Sequence, residues 1–514
     1  MAFYITTPIY YVNDTPHIGH SYTTVVADVL RRYRRLFGEE TLFLTGVDEH
    51  GQKVQAAAEK RGRPPQQHCD ELSENFKSIW KELGIDYDIF MRTTSDFHKK
   101  AVQAALAQLH AADEIYAKEY EGWYSQSEEI FYTEKDLVDG KTPQGNEVTR
   151  VSEKNYFFKM SKYQARLIAH IEKHPEFIQP DFRRNEVLGF LKQPLQDLCI
   201  SRPKARLSWG IELPFDKEYV TYVWFDALLN YATGVGYQQP ARTTEFGKWW
   251  GPPAVHLIGK DILTTHAVYW PTMLMALGAP LPRQIFAHGW WLTGDNEKMS
   301  KSKGQVVKPL DVKDLIGIDA LRYFLIRDIR LGNDAQFSVD LVLTRVNSEL
   351  ANNIGNLLSR TASLIEKYFD GKVPAAEATA PETRALADRA TGLAGRVREH
   401  ITAMRPQDAV GEIVDLMSDA NKFLADRAPW KAAKTDLPHA AETLRASLEC
   451  LRIAGTLLYP VMPDKATKLV ERLGGKVDFE AASKWGLVKA GAPIMSGEPL
   501  FPRIELPKEP PKPA

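Results

Sequence analysis

The sequence predicts an α/β chain: a doubly wound parallel sheet, interrupted by an inserted domain and followed by an α-helical bundle. Three observations predict it. Near the N-terminus, runs rich in β-branched and aromatic residues alternate with segments of helical periodicity. From about residue 116 to about 214 that alternation gives way to turn-rich aromatic segments, and then it returns. Beyond about residue 340 strand signals fade and long amphipathic patterns take over.

In order, FYITTPIYY and TLFLTGVDE read as strands ending in polar turns. Between them, Tyr22 to Phe37 is helical: Val25, Val26, Val29, Leu30, Tyr33, Leu36 and Phe37 share one face, and Gly38 follows as a stop. Helical patterns over 66–83 and 95–115 flank a strand-like DYDIFMRTT and complete the first half of the sheet domain, residues 1–115. The insertion, 116–214, has Trp123, Tyr124, Phe131, Tyr132, Tyr156, Phe157 and Phe158 as its expected core. YVTYVWFDALLNYATG, PAVHLIGKDILTTHAVYWPTMLMALG and RQIFAHGWW form the second half, 215–285, with the sheet expected to resume near Tyr219. A linking region, 286–340, leads to the helical domain, 341–500, with patterns over 341–368, 381–404, 406–428 and 440–459. LPKEPPKPA ends a tail, 501–514, that need not fold. No internal repeat is visible.

A chain of 514 residues can bury large cores without staples. Lys+Arg number 65 against 66 Asp+Glu, which excludes a uniformly basic nucleic-acid sleeve and leaves room for local patches. Three scattered cysteines argue against a disulfide framework and fit the cytoplasm. The N-terminus lacks the pattern of a signal peptide, and no run of about 18 apolar residues predicts a membrane span.

Two motifs carry chemistry. TPHIGH, Thr15 to His20, falls where a strand turns into a helix, where unpaired backbone N–H groups and the helix dipole suit phosphate. Gly19 would let a ligand approach the backbone, and His17 and His20 can donate ring N–H bonds to triphosphate oxygens without titrating. The same pair could equally cap the helix or bind a metal. Lys298-Met299-Ser300-Lys301-Ser302, after the turn-forming TGDNE and before Gly304, suits lysines reaching a phosphate in the transition state. A solvated charged turn is the plainer alternative.

PHIGH, with KMSKS about 280 positions later on an interrupted α/β sheet, resembles the paired signature of class I aminoacyl-tRNA synthetases. TPIYYVNDTPHIGH, FLTGVDEHGQKV, YVWFDALLNY, GKDILTTHAVYWP, HGWWLTGDNEKMSKS and NKFLADRAPW resemble the methionyl-tRNA synthetase family, up to about Pro460. The resemblance implies a Rossmann-like catalytic domain and an anticodon-binding bundle. It implies ATP, with Mg²⁺ as its companion, L-methionine and tRNA(Met) as substrates. His17, His20, Lys298 and Lys301 would then be catalytic, and Gly19, Gly259, Asp261 and Ser300 would join them around ATP, Gly259 and Asp261 near the ribose.

For methionine the resemblance implies Asp48 at the ammonium with the Ile9 carbonyl, and the thioether among Tyr11, Trp224, Ala227, Leu228, Tyr231, Ile262 and His266. Sulfur favours aromatic edges, and Tyr11 and His266 would offer it polar hydrogens. One such bond plus shape gives about 2–3 kcal/mol of discrimination, too little against homocysteine, which the family edits chemically. Trp224, Leu228 and Tyr231, at i, i+4 and i+7, would look the same in ordinary helix packing. For the anticodon the resemblance implies stacking on Trp430 and edge reading by Asn356 and Arg360, against a helix-corner tryptophan and a solvated stripe as alternatives. Arg202, Lys204 and Arg206 are candidate phosphate contacts.

The sequence departs from the family in one respect. Many members carry zinc-binding cysteine knuckles in the insertion, whereas no cysteine lies between Cys69 and Cys199, so no structural zinc and no other bound metal is expected. Without an appended dimerising domain a monomer is expected. Two rivals stand beside this reading. A small nucleotidylyltransferase would use TPHIGH but has no reason for a long helical domain, and a catalytically silent tRNA-binding protein has no reason to keep His17, His20, Lys298 and Lys301.

Overall fold

The computed structural model describes residues 2–125, 130–132, 134–143, 145–292, 307–494 and 497–505. Strand β1 (Ala2–Tyr11) leads into helix α1 (Ile18–Leu36), which begins four residues before the periodic stretch because His17 caps it. The chain divides into two compact units. One comprises residues 1–16, 40–81 and 85–288, and the other residues 17–39, 82–84 and 289–514.

The first unit is built on a six-stranded parallel sheet. β2 (Glu40–Asp48) and β3 (Ile89–Arg92) lie on one side of β1. Tyr4, Ile5, Phe43 and Leu44 are wholly buried, as expected of strands covered on both faces. β4 (Ile115–Ser125), β5 (Ile130–Tyr132) and β6 (Thr149–Phe158) form the antiparallel sheet of the insertion. β4 and β6 pair from Ile115↔Phe158 to Tyr124↔Thr149. Tyr124, Phe157 and Phe158 are buried, as expected, while Trp123 and Tyr156 are half-buried and hydrogen-bond Glu134 and Asp216.

Three features differ from the sequence reading. The helix expected over 95–115 runs Asp96–Ala111, and Asp113, at φ +55°, turns the chain so that Ile115 opens β4. β7 (Ile178–Gln179), from the middle of the inserted stretch, joins the edge of the parallel sheet. β8 (Leu198–Cys199) adds to the insertion's sheet. β9 (Ser201–Pro203), β10 (Glu212–Leu213) and β11 (Asp216–Thr221) make a separate antiparallel sheet. The strand around Tyr219 therefore does not resume the parallel sheet; helix α2 (Val223–Thr233) follows it, and the sheet resumes with β12 (Ala254–Gly259) and β13 (Gln284–His288). Its order is β3-β2-β1-β12-β13-β7, with the crossover on either side of β1. In such sheets ligands sit at the carboxyl ends of the strands around that point.

In the second unit, α1 packs with α3 (Ile318–Arg327) around a buried cation. Arg322, wholly buried, donates to Asp28 of α1 at 2.5 Å and to the carbonyls of Leu83, Gly84, Pro460 and Val461. Helix α4 (Asn356–Phe369) precedes three 22-residue helices, α5 (Pro381–Thr402), α6 (Pro406–Arg427) and α7 (Leu437–Leu458). Leu393, Val397 and Ile401 of α5 and Ile413, Met417 and Leu424 of α6 are buried at helical spacing, so each of these helices hides an apolar stripe, while α7 is buried on nearly every side from Ala440 to Leu458. Among the described residues no helix is long and apolar enough to cross a membrane.

Candidate active site

The carboxyl ends of β1 and β2 set Tyr11 beside Asp48 and Ile9 beside Gly46 in the strand register. Gly46 is required there: a Cβ would fall 2.2 Å from the Met91 carbonyl oxygen of β3. Asp48 is buried, and burial raises the pKa of the Tyr231 phenol well above its ordinary value, with Tyr10 and Asp48 nearby adding to the rise. Ala227, Leu228 and Tyr231 of α2 are buried and Trp224 is half-buried, so this face of the helix is also part of the core, as its spacing allows. Tyr4 donates to the Tyr231 carbonyl at 2.8 Å, tying α2 to β1.

His266 departs from its expected role. Its Nδ1 lies 2.9 Å from the Ile262 carbonyl, which can only accept, so the ring proton is on Nδ1. Nε2 must then accept from the Tyr231 hydroxyl at 2.7 Å. Both nitrogens are used, and His266 has no polar hydrogen left for a sulfur atom. Burial lowers its pKa to about 4, which keeps it neutral and fit to hold Tyr231. Further along the same edge, Gly259 ends β12 beside His288 of β13. The exposed Asp261 folds back so that its Oδ1 would lie 2.5 Å from a Cβ at position 259. The edge thus presents packed apolar and aromatic side chains beside a buried carboxylate, then a glycine turn with an exposed one.

At the start of α1 the second unit holds the imidazole pair. His17 Nδ1 accepts from the Gly19 N–H at 3.1 Å, and His20 Nδ1 accepts from the His17 N–H at 3.3 Å. Each neutral ring therefore carries its proton on Nε2, as a donor. The rings stack with centroids 3.7 Å apart. Capping, one of the alternatives open on sequence grounds, is therefore carried by Nδ1 of each ring, and this does not conflict with donation from Nε2. Gly19 serves the cap: a Cβ would meet His17 Cε1 at 2.9 Å, so the His17 ring occupies the space that the sequence reading left for a ligand.

Lys298, Ser300 and Lys301 lie outside the described residues. The chain on either side of them is anchored to α1. Trp291 meets Tyr22 edge-on at 5.8 Å, and the Val307 carbonyl accepts from the Ile18 N–H at 3.1 Å.

Known proteins match this chain from end to end. Residues 3–151 and 144–362 match the family model of class I tRNA synthetases (M), and residues 373–508 match that of the anticodon binding domain of methionyl tRNA ligase. The chain belongs to the methionyl-tRNA synthetase family. It is 46% identical over 513 residues to the methionine–tRNA ligase of Caldanaerobacter subterraneus subsp. tengcongensis, covering 99% of this chain and 80% of that protein. The Thermotoga maritima methionine–tRNA ligase is 42% identical over 513 residues, 98% of this chain and 81% of the relative. Among solved structures, Mycobacterium tuberculosis methionyl-tRNA synthetase in complex with methionyl-adenylate aligns with a TM-score of 0.92 at 40% identity, covering 98% of this chain and 100% of that one.

In this methionyl-tRNA synthetase family member the helical unit brings together the residues singled out for the anticodon. The Arg360 guanidinium lies over the Trp430 ring at 5.3 Å, and Asn356, one turn earlier on α4, bonds Asn421 at 3.3 Å. Trp430 also turns the corner after Ala428, which has φ +42°, and Tyr368 bonds its carbonyl. The Arg202 reading fails: the side chain is buried, held 4.2 Å from the Tyr222 ring and donating to the Ser201 carbonyl, so it cannot meet tRNA phosphates. Lys204 is paired with Glu212 and Arg206 with Glu153. Among the described residues no three or more His, Cys, Asp or Glu side chains are grouped to hold a metal ion.

Sequence reading missed one constellation, His50 with Asp226. His50 lies in FLTGVDEHGQKV and Asp226 in YVWFDALLNY, but nothing in the sequence links positions 176 apart.

Proposed function

We propose that this protein is a methionine–tRNA ligase. The carboxylate of L-methionine attacks the α-phosphorus of ATP, pyrophosphate leaves and methionyl-adenylate forms. A ribose hydroxyl of the terminal adenosine of tRNA(Met) then attacks the carbonyl, and AMP leaves. ATP enters as its Mg²⁺ complex, with the ion carried mainly by phosphates and water. The observation that carries this reading is the end-to-end match to methionine–tRNA ligases, over a catalytic and an anticodon-binding family model in one chain.

The residue roles follow from chemistry. In-line attack brings two anions together and spreads charge over the transferring phosphoryl group, so donors aimed at its oxygens do most of the work. The Nε2–H groups of His17 and His20 suit that task as neutral donors and need no proton transfer. Lys298 and Lys301, with Ser300, close on the phosphates; Gly259 gives the nucleoside room and Asp261 accepts from ribose hydroxyls. Asp48 receives the ammonium, and the wall of Tyr11, Trp224, Ala227, Leu228, Tyr231 and Ile262 takes the thioether. His266 acts there through Tyr231. In the helical domain Trp430 stacks on an anticodon base while Arg360 and Asn356 read its edge. The cytoplasm is the compartment and a monomer the working form, the latter checked by sedimentation.

The test is charging of tRNA(Met) transcripts. The protein should methionylate the transcript with its CAU anticodon and lose at least about a hundredfold in kcat/KM when those bases are changed. Equal charging of both transcripts would remove the anticodon role, and no charging of either would remove the transfer step.

A further inference from the structure

The ammonium carboxylate Asp48 sits at the head of a tripeptide, Asp48-Glu49-His50, whose other members are both buried charged or titratable groups. Glu49 is fixed on one side. Its Oε1 accepts from Arg92 at 2.8 and 2.7 Å, its Oε2 from the Thr94 hydroxyl at 2.5 Å, and its own N–H donates to Thr93 at 3.0 Å. Its carbonyl accepts from the Trp209 indole. His50 is fixed on the other side: its Nδ1 lies 2.7 Å from Oδ2 of Asp226, a wholly buried residue of α2. Asp226 Oδ1 is buried without a hydrogen-bond partner among the described residues.

A carboxylate buried on a single hydrogen bond is a poor way to stabilise a fold, because an apolar pair of the same volume would do it at least as well. The position of this one suggests another use. Asp226 falls between Trp224 and Ala227 on the helix that carries the residues proposed for the thioether, and His50 lies two residues beyond Asp48. One short, charge-assisted bond therefore joins the strand end that carries the ammonium site to the helix that carries the thioether site.

We propose that the His50–Asp226 pair is a positioning device for methionine, fixing the distance between the Asp48 carboxylate and the side-chain pocket on α2. This rests on the reading of Asp48 as the ammonium partner. With the bond intact, both ends of the amino acid are held at once. With it broken, the pocket still takes the thioether while Asp48 drifts from the ammonium.

The experiment uses the full chain with His50→Gln, Asp226→Asn, the double variant and Asp48→Asn, in methionine-dependent ATP–pyrophosphate exchange. Two inhibitors separate the ends of the substrate: L-methioninol keeps the ammonium and thioether, and methylthiobutanoate keeps the thioether without the ammonium. For the His50 and Asp226 variants, KM for methionine and the inhibition constant of methioninol should rise about tenfold or more. KM for ATP and the constant of methylthiobutanoate should stay within about twofold, and the double variant should be no worse than the poorer single one. Thermal midpoints identify any variant that fails to fold, in which case Asp226→Asn, nearly isosteric, decides.

An unchanged methionine KM in the pair variants, or an equal loss for both inhibitors, overturns the proposal. Asp48→Asn separates the two levels. If it raises the methionine KM while the pair variants do not, the positioning role falls and the ammonium reading stands. If it too leaves the KM unchanged, the ammonium reading falls with it.

Discussion

Replacing Gly19 by alanine separates the cap of α1 from the donors it aims. A Cβ at position 19 would stand 2.9 Å from His17 Cε1 and 3.1 Å from Nδ1, where ordinary contact begins at 3.4 Å. The imidazole must withdraw by roughly half an ångström, and the 3.1 Å bond from the Gly19 N–H loosens with it. A lost N-cap costs about 1 kcal/mol, but alanine in the first turn returns up to about 1 kcal/mol of helix propensity, so stability should barely change. Catalysis should not be spared. The Nε2–H donor moves with the ring, and misplacement on the ångström scale costs about a hundredfold, so kcat for adenylate formation should fall by about ten- to a hundredfold. The assays are ATP–pyrophosphate exchange and thermal unfolding of Gly19→Ala beside the native protein. Exchange at the native rate with an unchanged melting curve would refute the donor role of His17.

Three further outcomes follow from the geometry. Trp430→Ala removes the ring beneath Arg360 and should raise KM for tRNA(Met) by about tenfold or more while pyrophosphate exchange is unchanged; a loss in both assays would contradict a role confined to the anticodon. Arg322→Met leaves Asp28 with Arg32 at 2.7 Å but strands four carbonyl groups, and should cost about 3–5 kcal/mol in urea unfolding; an unchanged midpoint would contradict the account of that buried cluster. Burial lowers the pKa of His98 to about 3 and of His266 to about 4, and drives that of His256 well below the ordinary 6.5. Below pH 6.5 the unfolded chain therefore binds protons that the native protein refuses, so stability is full above pH 6.5 and falls toward pH 4. Three such groups give a slope approaching about 4 kcal/mol per pH unit between pH 6 and 5, and a flat profile there in urea titrations would contradict the burial of all three as neutral rings.

Local patterns were legible where one residue's neighbours in sequence decide its structure. The strand–helix–strand unit around His17 and His20 and the apolar stripes of α5 and α6 could be read from periodicity alone. Sheet membership could not. Tyr219 lies in a genuine strand, but strand propensity does not name a partner, and β11 chose β9 and β10 over the parallel sheet. Ile178–Gln179 was hidden for the opposite reason, since two residues are too few to show a period. The site residues divide in the same way. Gly19 and the two imidazoles are neighbours, and their capping geometry follows from the helix start. His266 was misassigned because its bond to Tyr231 joins different elements, and Arg202 because a basic run looks solvated until two tyrosines are found around it.

The central claim is that one carboxyl group, that of methionine, is activated on ATP. ATP–pyrophosphate exchange with each of the common amino acids in turn tests it most directly, with Lys301→Ala run in parallel. Methionine should drive exchange far above every other amino acid, and Lys301→Ala should lose most of that rate. Exchange that ignores methionine, or that proceeds without any amino acid, would contradict the account.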